Sequence, residues 1–278
     1  MTRLLAATIV LTALASVVAA GRPDQAPETR WAAADGAVTE VDLELVLAID
    51  VSGSMSAVEQ AKQREGYASA FQHPDVLAAI ESGPLGRIAV AYVAWAGPDE
   101  QEQILPWSII ANDEDAAHFS AAIAASELGF PRQVGPWRTG TSISAALDFA
   151  ARLFEKNGLT APRRAIDISG DGPNNSGVPV LVARAAVIAQ GIVINGLPLR
   201  LGKSITLPVD DYYDRCVIGG PGAFSISVND PAEFGIAIRR KLVLEIADSR
   251  SSFAIADLYS ISITQPPEFC DRWHPAQP

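Results

Sequence analysis

The sequence predicts a doubly wound α/β fold, with a mostly parallel sheet, one antiparallel strand and helices on both faces. Three observations carry that prediction. Strand-like and helix-like segments alternate along the chain, the order that builds parallel sheets. The strongest strand candidates, around Leu45–Ile49 and Arg87–Trp95, are apolar runs without alternation, as expected of strands covered on both faces. Oxygen-bearing residues gather where strands end, and that is the edge at which such sheets bind ligands.

The first strand runs through Leu45–Ile49 into Asp50-Val51-Ser52-Gly53-Ser54. A carboxylate and two hydroxyls, spaced by two along a turn that Gly53 allows to tighten, can face one point beyond the strand. Ser56 then caps a helix to about Phe71, with Val58, Ala61, Tyr67 and Phe71 as inward candidates. His73-Pro74 stops or kinks it, and His73 beside a proline reads as a surface residue. Arg87–Trp95 is the second strand and Gly97-Pro98 a turn. Gln103–Ser108 is a third strand, antiparallel because the connection is too short for a crossover.

Residues 113–127 are helical by alanine content and spacing. A loop carrying Trp137 leads to Thr139-Gly140-Thr141-Ser142, whose hydroxyls precede an amphipathic helix from Ile143 to Phe154. Ala165–Ser169 is a fourth strand, closing in Gly170-Asp171-Gly172-Pro173-Asn174-Asn175 and so placing a second carboxylate at a strand end. Val178–Gln190 reads as a helix, Ile192–Leu197 as a fifth strand and Phe224–Val228 as a last one. Pro231 opens a helix to about Ala247, proline being suited to a first helical turn. Asn174 and Asn175 read first as turn formers. Trp107 and Trp137 are open between core and binding surface.

The chain begins Met1-Thr2-Arg3, stays apolar to Ala20 and has small residues at Val18-Ala19-Ala20-Gly21. That is the pattern of a secretory signal peptide over residues 1–20, an uncleaved anchor being the other reading. Residues 21–40 are expected as a linker, 41–250 as the folded domain and 251–278 as a C-terminal tail. No later stretch reads as an integral membrane span. The formal net charge is −11, and loss of a leader whose only charge is Arg3 makes it −12. Such a surface repels nucleic acid and anionic lipid. The two cysteines, Cys216 and Cys270, are expected to pair in an exported chain and tie the tail to the domain.

Asp50, Ser52 and Ser54, then Thr141, then Asp171 thus form an all-oxygen set where strands meet helices. Carboxylates and hydroxyls suit magnesium, manganese or calcium better than zinc. The pattern resembles the von Willebrand factor type A domain, whose metal-ion-dependent adhesion site is Asp-x-Ser-x-Ser, a distant Thr and a distant Asp in that order. The resemblance covers roughly residues 41–248. Tyr212-Tyr213, Cys216–Phe224 and Arg240-Lys241-Leu242 resemble a bacterial exported subfamily of uncharacterised proteins, the DUF1194-like chains.

The resemblance implies a non-enzymatic, periplasmic or secreted protein-binding module. Ser52 and Ser54 would bind the ion directly, Thr141 directly or through water, and Asp50 and Asp171 mainly through water. A partner's Asp or Glu would complete the shell. The competing reading is a metal-dependent phosphohydrolase of the haloacid dehalogenase type, with Asp50 as nucleophile and Asp171 in its acidic motif. That class has a carboxylate two residues after the nucleophile, and here Ser52 stands there, leaving proton transfer without its carrier.

Overall fold

The computed structural model describes residues 38–127, 140–200, 208–247 and 267–272. In chain order the elements are β1 (Thr39–Glu40), β2 (Leu43–Asp50), α1 (Ala57–Phe71), α2 (Pro74–Glu81), β3 (Ile88–Trp95), β4 (Gln101–Ile110), α3 (Asp113–Ala125), α4 (Ile143–Arg152) and β5 (Leu159–Thr160). Then come β6 (Arg164–Gly170), α5 (Val180–Ala189), β7 (Val193–Pro198), α6 (Val209–Tyr212), a π-helical turn (Tyr213–Val217), a 3-10 turn (Pro231–Glu233), α7 (Phe234–Ile246) and α8 (Pro267–Cys270).

The main sheet has the order β4-β3-β2-β6-β7, parallel except for the β3–β4 pair, so the strand bearing Asp50 lies at its centre. All eight residues of β2 and all eight of β3 are buried, which is why neither shows alternation in sequence. The alternation is between two cores instead. Leu43, Leu45, Leu47 and Ile49 pack with α1, α2, α3 and α7, whereas Val46 and Ala48 pack with α4, α5 and the π-helical turn.

The α1–α7 core contains a charged cluster. Lys241, fully buried, holds its Nζ 2.7 Å from Asp167 Oδ1 on β6 and 2.5 Å from Glu245 Oε1 on its own helix. Asn195 on β7 donates to Glu245 at 3.0 Å and Tyr67 on α1 donates to Asp167 at 3.4 Å. Burial, and then Asp167, push the Glu245 carboxyl up to about 7 even beside the lysine.

Several expectations change. Proline at the first position of a helix lacks only an N–H that would be unpaired anyway, so Pro74 starts α2, capped by the His73 ring, rather than ending order there. His73 is half-buried and its Nε2 lies 2.7 Å from Arg239 Nη1. Val58 and Ala61 are exposed, and α1 turns Gln63, Gly66, Tyr67, Ala68, Ala70 and Phe71 inward. Phe224–Val228 runs beside β7 through isolated bridges at Ser225 and Val228 and is not a strand of the sheet. Thr39 and Glu40, at the end of the expected linker, pair with β5. Trp107 belongs to the core: its indole N–H donates to the Leu153 carbonyl at 3.0 Å and its ring packs against Phe154. Trp137 and the expected leader lie outside the described residues. Among the described residues no helix is long and apolar enough to cross a membrane.

A candidate metal-ion site at the carboxyl edge of the sheet

Asp50 is the last residue of β2 and is fully buried. Its Oδ1 accepts the Ser52 backbone N–H at 2.7 Å, which closes the turn and leaves Ser52 buried and Ser54 exposed. The Ser52 and Ser54 hydroxyls lie 3.0 Å apart, and Ser54 donates to Asp171 Oδ1 at 2.7 Å across 117 residues of sequence. Asp50, Ser52, Ser54 and Asp171 are therefore linked through hydrogen bonds at one place. Ser56 and Glu59 complete a reciprocal cap immediately afterwards, so α1 starts at a fixed place behind the turn.

Thr141, mostly buried, has its backbone held against the loop that follows Asp171. Its N–H donates to Asn175 Oδ1 at 2.7 Å and its carbonyl accepts the Asn175 N–H at 2.9 Å. Gly140 makes that approach possible: it has φ +44°, and a Cβ there would collide with Asn175 Oδ1. Asn174 binds the next turn in the same way, accepting the Ser144 N–H and donating to the Val178 carbonyl. The two asparagines are thus clamps between the Asp171 and Thr141 loops, a role their sequence context did not separate from turn formation.

Backbone bonds close the rest of a ring. Val51 N–H donates to the Trp95 carbonyl at 2.9 Å, and Ser142 N–H donates to the Ala96 carbonyl at 2.8 Å. The loops after β2, β3 and β6 and the one before α4 are therefore tied to one another around the oxygen cluster.

The electrostatics of this cluster are unbalanced. Burial, and then the Asp171 charge, push the Asp50 carboxyl up to about 7 against the bonds it accepts from Ser52. Burial also raises Asp171, with Glu59 adding to the effect and the Ser54 hydroxyl opposing it. Among the described residues, Asp50 Oδ2 has no hydrogen-bond partner. Nor do any three His, Cys, Asp or Glu side chains gather into a metal-binding group, so an ion here would rest on two carboxylates and hydroxyls. A buried, half-satisfied carboxylate beside a second one, faced by neutral hydroxyls, fits a hard divalent cation in both charge and donor type. Cys216 and Cys270 lie apart from this cluster and form a disulfide, with Cα atoms 5.6 Å apart, joining the π-helical turn to α8.

Comparison with solved structures finds the same fold. Proximal thread matrix protein 1 of the mussel byssus, in a structure described as having a zinc-occupied MIDAS motif, is 13% identical over 74% of this chain and 46% of that one, with a TM-score of 0.51. The pilus adhesin SpaC of Lactobacillus rhamnosus GG is 12% identical over 74% of this chain and 31% of that one, with a TM-score of 0.51. The von Willebrand factor domain of the type V pili tip protein Mfa5 of Porphyromonas gingivalis is 13% identical over 79% and 97%, with a TM-score of 0.50. The chain thus spans less than half of the mussel and Lactobacillus proteins but nearly all of the Mfa5 domain. At such identities the likeness is one of fold. No curated protein sequence matches. The profile of the family described as protein of unknown function DUF1194 matches residues 40–250. The chain belongs to that family, and its fold is that of the von Willebrand factor type A domain.

Proposed function

We propose that the chain is an extracytoplasmic, non-enzymatic protein-binding module that uses a metal-ion-dependent adhesion site. Asp50, Ser52, Ser54, Thr141 and Asp171 hold a divalent cation there, magnesium in the first place and manganese or calcium as alternatives. The observation that carries this reading is the uncompensated Asp50–Asp171 pair: among the described residues, a fully buried carboxylate with one oxygen unpartnered stands beside a second carboxylate, and no cationic side chain is bonded to either. When bound, the ion supplies the positive charge and an open position for an Asp or Glu carboxylate of a protein partner. Neutral hydroxyls leave that charge poorly neutralised toward the outside, and a chain of net charge −11 gives an acidic partner no other attraction.

Two exposed valines flank the site on the same edge. Val58 in the first turn of α1 is 68% exposed, and Val178, just before α5, is 52% exposed. They give a protein partner apolar surface beside the ion. Residues 1–20 are assigned as an export leader, 21–40 as linker, 41–250 as the binding domain and 251–278 as a tail held by the disulfide.

Thermal unfolding of the purified protein in chelator, then with magnesium, manganese or calcium, tests the site. A ligand that binds only the folded state raises stability by about 2.7 kcal/mol at a hundredfold excess over Kd. The wild type should gain that increment and Asp171→Ala should lose it. An equal gain in both would reject the assignment.

A further inference from the structure

Two adjacent buried tyrosines stand where α6 ends at Tyr212 and the π-helical turn begins at Tyr213, and π-turns of this kind recur where function needs an unusual side-chain register. The Tyr212 hydroxyl accepts the Asn174 N–H at 3.2 Å, so it supports the Asp171 loop. Tyr213 takes a different path. Its ring lies over Gly196 of β7, where a Cβ would come within 2.9 Å of Tyr213 Cδ1. Its hydroxyl passes Gly170 at the end of β6, where a Cβ would lie 2.6 Å from that oxygen and 2.8 Å from Asp50 Oδ2. Two strands thus omit side chains along the track of a single ring, and the track ends beside the free oxygen of Asp50.

Both atoms at that end are unusual. Tyr213 Oη and Asp50 Oδ2 are buried and, among the described residues, neither has a hydrogen-bond partner. A buried hydroxyl without a partner is costly, and a fold does not keep one at a site without a reason to. A phenol hydroxyl can donate its proton to a carboxylate oxygen.

We infer that Tyr213 is a positioning residue of the metal-ion site: its hydroxyl, delivered through the space left by Gly196 and Gly170, fixes the Asp50 carboxylate in the orientation that anchors the ion. This rests on the reading of the site given above. The same turn contains Cys216, and the bond to Cys270 staples it three residues beyond Tyr213. The positioning group is thus built into the segment that the disulfide holds.

Manganese alone serves as the probe, with affinity read from the free-ion EPR signal, and unfolding in chelator reports on the metal-free fold. Tyr213→Phe removes one oxygen and keeps the ring. It should weaken manganese binding about 10- to 100-fold, the usual effect of losing a group that orients a ligand. Its midpoint in chelator should be unchanged or higher, since in the metal-free fold the hydroxyl has no hydrogen-bond partner among the described residues. Gly170→Ala should also weaken binding and lower the midpoint, and adding Tyr213→Phe to it should restore part of the midpoint by removing one of the two collisions. Manganese affinity equal to wild type in Tyr213→Phe would overturn the inference and leave the site standing. Failure of wild type and Asp171→Ala alike to bind manganese would overturn the site reading and this inference with it.

Discussion

Strand β6 and the turn that follows it each contribute a carboxylate to a cluster, and the two clusters are finished in opposite ways. Asp167, inside the sheet, meets Glu245 with Lys241 between them and Asn195 and Tyr67 around them. Asp171, just past the end of the same strand, lies beside Asp50 among neutral groups, the Ser52 N–H and the Ser52 and Ser54 hydroxyls, with no cationic side chain bonded to either carboxylate among the described residues. The first cluster carries its own cation and is closed by α7. The second opens at the sheet edge and offers oxygen without charge. A carboxylate pair supplied with a lysine is part of the architecture; a pair left without one is arranged to take its cation from outside.

Removing the internal cation should have the largest effect. Lys241→Met keeps the volume but leaves Asp167 and Glu245 buried without a counter-charge, and should cost about 3–5 kcal/mol in denaturant unfolding at neutral pH. Asp50→Asn is the opposite case. In chelator it relieves a buried charge, and should raise stability at neutral pH by roughly 1–2 kcal/mol, after allowing for the burial of the amide itself. A loss of stability in that variant would show that the site pair is balanced within the fold, as the inner pair is.

The pH dependence separates the two clusters further. Asp50 and Glu245 both have folded-state values pushed up to about 7, while the unfolded chain holds such groups near their ordinary values around 4. Between those limits the folded protein binds more protons than the unfolded chain. Stability in chelator should therefore rise as pH falls from about 7 toward 5. Asp50→Asn should flatten part of that slope and leave the Glu245 part, and a slope unchanged by the substitution would place the whole effect in the inner cluster. The smallest expected change is at the clamp between loops: Asn175→Ala leaves the Thr141 N–H without its acceptor and should cost about 1 kcal/mol of stability. Its larger consequence should be weaker metal-linked stabilisation, which Asn175→Asp would partly retain.

Much of this was legible in the sequence, and the reasons are local. Asp50, Ser52 and Ser54 are separated by fixed short spacings, and the unbroken apolar runs of β2 and β3 follow from a central position between two helical layers. Asp171 sits at the end of another such run. The inner cluster was hidden because Lys241 and Glu245, four apart on a helix, look like a solvated surface pair. The usable signal was Asp167, a carboxylate in the middle of the buried run Ala165–Ser169, which had to find a cation somewhere. Val58 and Ala61 were misassigned because the small residues Gly66, Ala68 and Ala70 set the inward face of α1 against α7 and α3. Phe224–Val228 has the composition of a strand, yet it meets β7 only at separated points, and no local pattern distinguishes those cases. Tyr213 was visible only as part of a tyrosine pair, since its role depends on two glycines in other strands.

The small β1–β5 ladder has a mechanical consequence. It latches the chain at the amino edge of the sheet, through Thr39 N–H to the Gly158 carbonyl at 2.8 Å and Val41 N–H to the Thr160 carbonyl at 2.9 Å. The oxygen cluster lies at the other end of β2. Tension between a tether upstream of Thr39 and a partner held at Ser52 and Ser54 would run lengthwise along that strand. The ladders joining β2 to β3 and β6 would then be loaded in shear, many bonds at once, rather than peeled apart in succession. A module pulled from these two ends would carry the force through the best-supported strand it has.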